Sequence, residues 1–124
     1  MVIDIPIRTI SGANAREHWA RRKDRVERER CATWAYWHKA PNVERCAVRK
    51  WPGWRISIVR RSPGKFLDSD NLPTATKSVR DELARLLGVD DGSPRYEWVY
   101  RQVRSPIWSV LVVIEKAEPP DAHP

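Results

Sequence analysis

The spacing of side chains between Leu72 and Gly88 constrains the fold more than any other feature of the chain. Six residues in this stretch recur at steps of three and four, which is the pattern of a helix with one buried face. Gly88 follows directly, in the position where a helix commonly ends. The sequence therefore predicts a helix over about 72–87 that packs against a core. Its predicted buried face consists of Leu72, Thr76, Val79, Leu83, Leu86 and Leu87.

Alternating segments precede this helix and predict strands. The N-terminal segment VIDIPI alternates apolar and polar residues. Residues 46–61 are predicted as a second strand, interrupted by a Pro-Gly pair at 52–53. Within that stretch, WRISIVRR places Trp54, Ile56 and Ile58 on one face, and that face is expected to be buried.

A further helix and two further strands complete the pattern. Asn14 is a suitable N-cap for a long charged helix over about 15–39, which ends before Pro41. The last two strands, RYEWVYRQV and IWSVLVVIEK, are predicted to pair as a hairpin. This order predicts a small α/β domain, in which a mixed β-sheet packs against two main helices. We expect one domain over residues 1–117 and a flexible, proline-rich tail over 118–124.

The chain is strongly basic, with a formal net charge of +7 over 124 residues. A basic surface attracts polyanions and speeds their capture, so nucleic acid is the first partner class to consider. The alternative for the charges of the first helix is a solvated face with ion pairs at three- and four-residue spacing. The candidate contacts to a DNA backbone are Arg16, Arg21, Arg22, Arg60, Arg61 and Lys65.

Other compartments and metal types are not favoured by the sequence. No apolar run approaches the roughly 18–20 residues of a membrane span, and the N-terminus lacks the layout of a signal peptide. These features favour a cytoplasmic protein without a membrane partner. The two cysteines and three scattered histidines do not have the spacing of a zinc site.

Two carboxylate pairs flank the predicted helix, Asp68 with Asp70 and Asp90 with Asp91. On an extended segment, residues two apart point to the same side, and neighbouring carboxylates repel each other unless a cation lies between them. The second pair follows the helix C-terminus, where the helix dipole disfavours negative charge. Oxygen ligands suit Mg²⁺ or Mn²⁺, and such ions promote hydrolysis of phosphodiesters. A metal site is therefore one interpretation of the two pairs.

A structural role for the same acids is the other interpretation. A straight helix of about sixteen residues would be roughly 24 Å long and would hold the two pairs far apart. Asp70 or Asn71 could cap the helix, and Asp90-Asp91-Gly92 has the composition of a turn. The residues alone leave both interpretations open.

The stretch from Lys65 to Gly92 also resembles the central motif of RusA-type Holliday junction resolvases, and of their phage-type members in particular. The segments DSDNL, KSVRDEL and GVDDG agree with that family in order, spacing and residue type. Outside residues 65–103 only the architecture is similar. The chain departs from the family in carrying three additional residues between Leu72 and Lys77.

This resemblance implies a RusA-like fold and a homodimeric endonuclease that depends on Mg²⁺, with Mn²⁺ as a possible substitute. Such an enzyme resolves four-way DNA junctions by paired phosphodiester hydrolysis during recombination and repair, here in a bacterial or phage-infected cell. Carried over by position, the resemblance implies that Asp68, Asp70 and Asp91 are the catalytic metal ligands. Asp90 is the neighbouring acid that could replace Asp91.

The resemblance also implies a catalytic lysine, for which there are two candidates. Lys77 matches the family's lysine by its place before Asp81, and the additional residues would leave it on the same helix face, one turn further along. Lys65 is the rival. The structural alternative for Lys77 is a pair with Asp81 at four-residue spacing.

Two other functions are consistent with the same residues. A non-catalytic DNA-binding protein would use the basic residues while the acids cap helices and shape turns. A nuclease of the same fold could act on flaps or other branched DNA instead of four-way junctions.

Overall fold

A computed structural model describes residues 1–10 and 18–118 of the chain. Predicted features at Asn14, at Arg16 and in the tail over 119–124 lie outside the described residues. The elements within them are β1 (Val2–Ile5), α1 (Trp19–Trp37), α2 (Asn42–Arg49), β2 (Trp54–Ser62), α3 (Asn71–Ala75), α4 (Lys77–Leu87), β3 (Tyr96–Arg104) and β4 (Ser109–Lys116). In this described part of the chain, no helix is long and apolar enough to cross a membrane.

The strands form one mixed sheet in the order β1-β4-β2-β3. β2 pairs with β4 in antiparallel orientation and with β3 in parallel orientation. The predicted small α/β domain with a mixed sheet is thus confirmed. The predicted hairpin of the last two strands is wrong, because β2 lies between them. A parallel neighbour requires a crossover connection, which α3 and α4 provide between β2 and β3.

The helices contribute to a core on one face of this sheet. Trp54, Ile56 and Ile58 of β2 are fully buried, which confirms the predicted alternation of this strand. They belong to the same core cluster as Val79 and Leu83 of α4. Burial of each large apolar side chain contributes about 1.5–3 kcal/mol relative to exposure. The apolar face of α4 and the apolar face of β2 therefore pack together in one hydrophobic core.

The segment before β2 differs from the prediction. Residues 46–49 belong to helix α2 and not to a strand. Val48 of this helix is buried, and its carbonyl oxygen accepts a hydrogen bond of 2.8 Å from Trp54 Nε1. Gly53 allows the close approach of the next segment, since a Cβ there would lie 2.9 Å from the Ala117 carbonyl oxygen. The chain thus turns at the Pro-Gly pair and only then enters the sheet.

The predicted helix over 72–87 consists of two helices that meet at Thr76. The Thr76 backbone leaves the helical region, and its hydroxyl donates to the Leu72 carbonyl oxygen at 3.0 Å. Gly88 ends α4 with a φ of 79°, the left-handed conformation that glycine adopts without strain. The end of the helix is therefore as predicted, whereas its start is displaced to Lys77.

Helix α1 packs on α4 through two buried carboxylates that were not identified from the sequence. Glu29 accepts a hydrogen bond from the Ser78 hydroxyl and pairs with Arg25 at 3.3 Å. Glu82 pairs with Arg30 at 3.3 Å and also with Arg85 of its own helix. Buried charges are tolerated when they are paired in this way. These pairs attach the basic helix to the element that follows the first acid pair.

Candidate functional site

The first acid pair lies on a loop that β3 holds in place. Asp68 and Asp70 are both exposed, between the end of β2 and the start of α3. Gln102 of β3 accepts a hydrogen bond from the Leu67 backbone N–H at 2.8 Å and donates one to the Leu67 carbonyl oxygen at 2.7 Å. This two-point contact ties the residue before Asp68 to a strand of the sheet.

Capping is not the function of the Asp70 carboxylate. Asp70 occupies the N-cap position of α3, but its side chain accepts no capping hydrogen bond from the described backbone. The turn is closed by the Asp68 carbonyl oxygen, which accepts from Asn71 N at 2.9 Å and from Leu72 N at 3.2 Å. An exposed pair of carboxylates on an anchored loop suits Mg²⁺, which binds one or two carboxylates and keeps several waters. The carboxylate oxygens of Asp68 and Asp70 are therefore suitable ligands for the Mg²⁺ ion that the resemblance implies.

The two acids of the second pair have different surroundings. Asp90 Oδ1 accepts a hydrogen bond of 2.9 Å from the Gly92 backbone N–H, which is the turn expected from its sequence. That N–H, followed by the contact with the Asp91 side chain, lowers the pKa of Asp90. The Asp91 carbonyl oxygen accepts from Trp98 Nε1 at 3.0 Å. Asp90 thus shapes the turn, while β3 holds Asp91.

Both acid pairs are therefore tied to the same face of β3. Trp98 and Gln102 are four residues apart on this strand, which corresponds to roughly 13 Å at about 3.3 Å per residue. The separation expected from one long helix does not apply, because α4 begins only at Lys77. Within residues 1–10 and 18–118, however, no three acidic, histidine or cysteine side chains form a group that could hold a metal. The fold aligns the two pairs along one strand without assembling them into one cluster.

Arg80 lies between the two tethering points and was missed by sequence reasoning. Its Nη1 donates to the Tyr100 hydroxyl at 2.8 Å, and its guanidinium stands over the Trp98 ring at 4.6 Å. Its Nε lies 3.4 Å from Asp91 Oδ2, and its Nη2 donates to the Asp91 carbonyl oxygen at 3.3 Å. The alternation of YEWVYRQ, which places Trp98, Tyr100 and Gln102 on one strand face, was the available signal.

No protein-family model matches the chain, and no match emerges from the curated proteins. The resemblance to RusA-type resolvases stays a prediction from the motif.

The two candidate lysines occupy different positions. Lys77 Nζ lies 2.7 Å from Asp81 Oδ2, so the pair expected under the structural alternative is present. The same side chain lines a cavity of about 240 Å³, to which Arg22 of α1 also contributes. Lys65 is exposed on the loop that leads to Asp68. The fold brings Arg22 towards Lys77, and it places Lys65 on the segment of the first acid pair.

Arg60 corrects the predicted set of DNA contacts. It is only 3% exposed, and its Nε donates to the Thr9 hydroxyl at 2.9 Å. Its Nη1 donates to the Ser62 hydroxyl at 3.2 Å and to Gln102 Oε1 at 3.4 Å. Burial lowers the pKa of Arg60. The prediction that Arg60 contacts a DNA backbone is wrong, because its guanidinium is directed inward and supports Gln102.

The other predicted DNA contacts do not share one surface. Arg21 and Arg22 are exposed on α1, on the side of the molecule that carries the helices. Arg61 alternates with the buried Arg60 and therefore points to the opposite face of the sheet. There it pairs with Asp4 at 3.3 Å. Arg21, Arg22 and Lys65 are the described members that stay compatible with a surface near the acids.

Replacing Arg80 with alanine tests whether it positions the second acid pair. The substitution removes the ion pair to Asp91 and leaves the Tyr100 hydroxyl without its donor. We expect a loss of about 1–2 kcal/mol in the free energy of unfolding, since the group is partly exposed and its ion pair is screened by solvent. Urea unfolding measures this loss. The exposed Arg28 of α1 provides the control, and an equal loss in Arg28→Ala would contradict the proposed role of Arg80.

Proposed function

We propose that this protein is a Mg²⁺-dependent, structure-specific DNA endonuclease with a RusA-like fold. It acts as a homodimer on four-way junctions in the cytoplasm of a bacterial or phage-infected cell. The observation that supports this most is the attachment of both acid pairs to one face of β3. Asp68 and Asp70 are exposed on the loop that Gln102 holds through Leu67, and Asp70 does not perform the capping role that would explain it structurally.

Asp68, Asp70 and Asp91 are the residues that would hold the metal ion. When bound, a divalent ion supplies Lewis-acid activation at the phosphodiester. The chain's own contribution is to position the acids: Gln102 holds the loop of the first pair through Leu67. The indole of Trp98 and the guanidinium of Arg80 hold the turn that carries Asp91. This positioning reduces the reorganisation required when phosphate and metal bind.

The basic residues act on the phosphates of the substrate. Lys65 or Lys77 offsets negative charge that develops on the phosphate during hydrolysis. Arg21 and Arg22 contact the DNA backbone, and such contacts position DNA without reading its bases. The selection of a junction then depends on the shape of the DNA and on two symmetry-related sites.

A non-catalytic DNA-binding protein is the second candidate. It is favoured by the Lys77–Asp81 pair and by the Asp90 turn, because both give local structural roles to residues of the motif. It is also favoured by the absence of a three-residue metal-binding group in the described part of the chain. A nuclease of the same fold acting on flaps or other branched DNA is a variant of the first candidate.

A nicking assay separates these functions. The substrates are a synthetic four-way junction, a flap and a linear duplex, each with Mg²⁺, with Mn²⁺ or with a chelator. We expect symmetric cuts in the junction that require the divalent ion. Predominant cutting of the flap would show that the enzyme acts on other branched DNA instead of four-way junctions. Tight binding without cutting of any substrate would instead support the DNA-binding protein, and failure to bind DNA would overturn both.

A further inference from the structure

Helix α1 borders an open apolar groove on the side of α4, with a volume of about 900 Å³. Trp19, Val26 and Trp34 line this groove from α1. Trp19 is 73% exposed, and Trp34 is exposed as well. The two tryptophans are fifteen positions apart, which corresponds to about 22 Å along the helix axis. Accessible apolar rings of this kind mark a binding surface, and their separation suits an extended occupant.

Charged side chains surround the apolar floor of the groove, and the cations outnumber the acids. Glu82 is buried and already pairs with Arg30 and Arg85. Glu27 is the other acid of the groove, and it is exposed. The rim therefore attracts an occupant that carries negative charge. The cationic side chains that line the groove are Arg22, Lys23, Arg30 and Arg85.

A second cavity, of about 290 Å³, continues the groove beyond Trp34. Trp34 and Arg85 line both cavities. Arg45 and Arg49 of α2 add two further cations, and Arg45 is oriented by a hydrogen bond of 3.0 Å from its Nε to the Ala40 carbonyl oxygen. Among the described residues, no carboxylate lines this second cavity. Arginines without a neighbouring acid suit a phosphate group.

The groove also opens towards the second acid pair. A third cavity, of about 490 Å³, is lined by Arg30 and Arg85, which it shares with the groove. Asp90 and Asp91 line the same cavity. An occupant of the groove therefore lies next to the turn that carries Asp91. This continuity with the candidate site favours an occupant that belongs to the substrate.

We propose that the groove binds single-stranded DNA, in the form of an unpaired strand that leaves the branch point of the substrate. Bases stack on the exposed rings of Trp19 and Trp34, and phosphates contact Arg45 and Arg49. Stacking rings along a cationic groove are the general means by which proteins hold single strands. Duplex DNA does not suit this groove, because its bases stack on each other and are not available to the tryptophans.

This inference deepens the proposed function, and its choice of DNA rests on that function. The groove and the second cavity include none of Asp68, Asp70 and Asp91. Binding of the strand therefore requires neither the metal ion nor hydrolysis. A protein that nicks junctions but does not bind a single strand would contradict this inference alone. A protein that binds the strand but cuts no substrate would contradict the proposed endonuclease alone.

Fluorescence anisotropy tests the groove with the full chain, in chelator, and a labelled single strand of about 12 nucleotides. Trp34→Ala removes one stacking ring, so we expect the dissociation constant to rise at least about fivefold. Trp34→Phe keeps a ring that can stack and should stay within about threefold of wild type. Neither change removes a charge, so the salt dependence of binding should not alter. Far-UV circular dichroism verifies that each variant is folded.

Arg49→Ala tests the phosphate contacts of the second cavity. We expect weaker binding and a slope of the logarithm of affinity against the logarithm of salt concentration that is smaller by about 0.7, the value for one phosphate of a single strand. Lys50→Ala is the matched control. Lys50 is the adjacent exposed cation at the end of α2, and it lines neither the groove nor the second cavity. Its slope should equal that of wild type.

Three results would overturn the proposal. The first is wild-type affinity in Trp34→Ala together with a wild-type slope in Arg49→Ala. The second is a duplex of the same length that binds as tightly as the single strand. The third is a wild type that does not bind the strand at about 100 µM, the weak end of non-specific affinity for nucleic acid. The groove would then belong to a protein partner or to a second copy of the chain.

Discussion

Asp70→Asn is expected to reduce Mg²⁺-dependent nicking of a four-way junction at least about a hundredfold, because in the proposed endonuclease the loss of a metal ligand would remove several kcal/mol of transition-state stabilisation. The substitution keeps the size of the side chain and removes its negative charge. Since no described backbone group uses this carboxylate as a cap, the free energy of unfolding should change by less than about 0.5 kcal/mol. Single-turnover cleavage of a labelled junction measures the rate, and urea unfolding measures stability.

Asp24→Asn is the control for this experiment. It makes the same chemical change at an exposed position of α1, outside the acid pairs. Its cleavage rate should match wild type. If Asp70→Asn cuts at the wild-type rate, the first pair does not hold the catalytic metal. If it loses stability and activity together, the acid has the structural role that the helix boundary originally suggested.

Trp54→Ala is expected to produce the largest loss of stability among single substitutions of tryptophan. Trp54 is fully buried, its ring is stacked on Tyr96 at 5.1 Å between centroids, and its Nε1 donates to the Val48 carbonyl oxygen. Truncation leaves a cavity and removes one hydrogen bond from the Val48 carbonyl oxygen, which still accepts from Trp51 N at 3.2 Å. Such a loss of a large buried side chain costs about 3–5 kcal/mol. Urea unfolding followed by circular dichroism measures the loss.

Trp34→Ala provides the comparison, because it removes the same side chain from an exposed position. Trp34 is 48% exposed, and its ring contacts His38 at 4.3 Å between centroids. We expect a loss below about 1 kcal/mol. Equal losses in the two variants would show that the core around β2 does not control stability.

Local periodicity predicted the parts of the fold that depend on neighbours in sequence. The faces of β2 and α4 follow from steps of two and of three and four, and Gly88 marks the helix end through its backbone freedom. The position of β2 between β3 and β4 depends on pairing between distant segments, which periodicity does not encode. Helix α2 was missed because CAVR is too short to distinguish a buried helical turn from a strand.

The candidate site was predictable to a similar extent. The acids were found because their types and spacing are unusual in a basic chain. Arg80 was not found, because its contacts with Tyr100 and Asp91 exist only after α4 packs on β3. Arg60 shows a different error. Alternation with Trp54, Ile56 and Ile58 indicated an inward side chain, but its charge was given more weight than its position.

The buried Arg60 has a consequence for the range over which the protein attracts anions. Its hydrogen-bond partners among the described residues, Thr9, Ser62 and Gln102, are neutral, so none of them cancels its charge. Counterions screen interactions between buried charges much less than those between exposed charges, but an anion that approaches from solvent is screened in either case. Arg60 therefore contributes to the attraction of a phosphate without touching it. The range of that contribution is set by the Debye length, about 8 Å at physiological ionic strength, as it is for exposed residues such as Arg21.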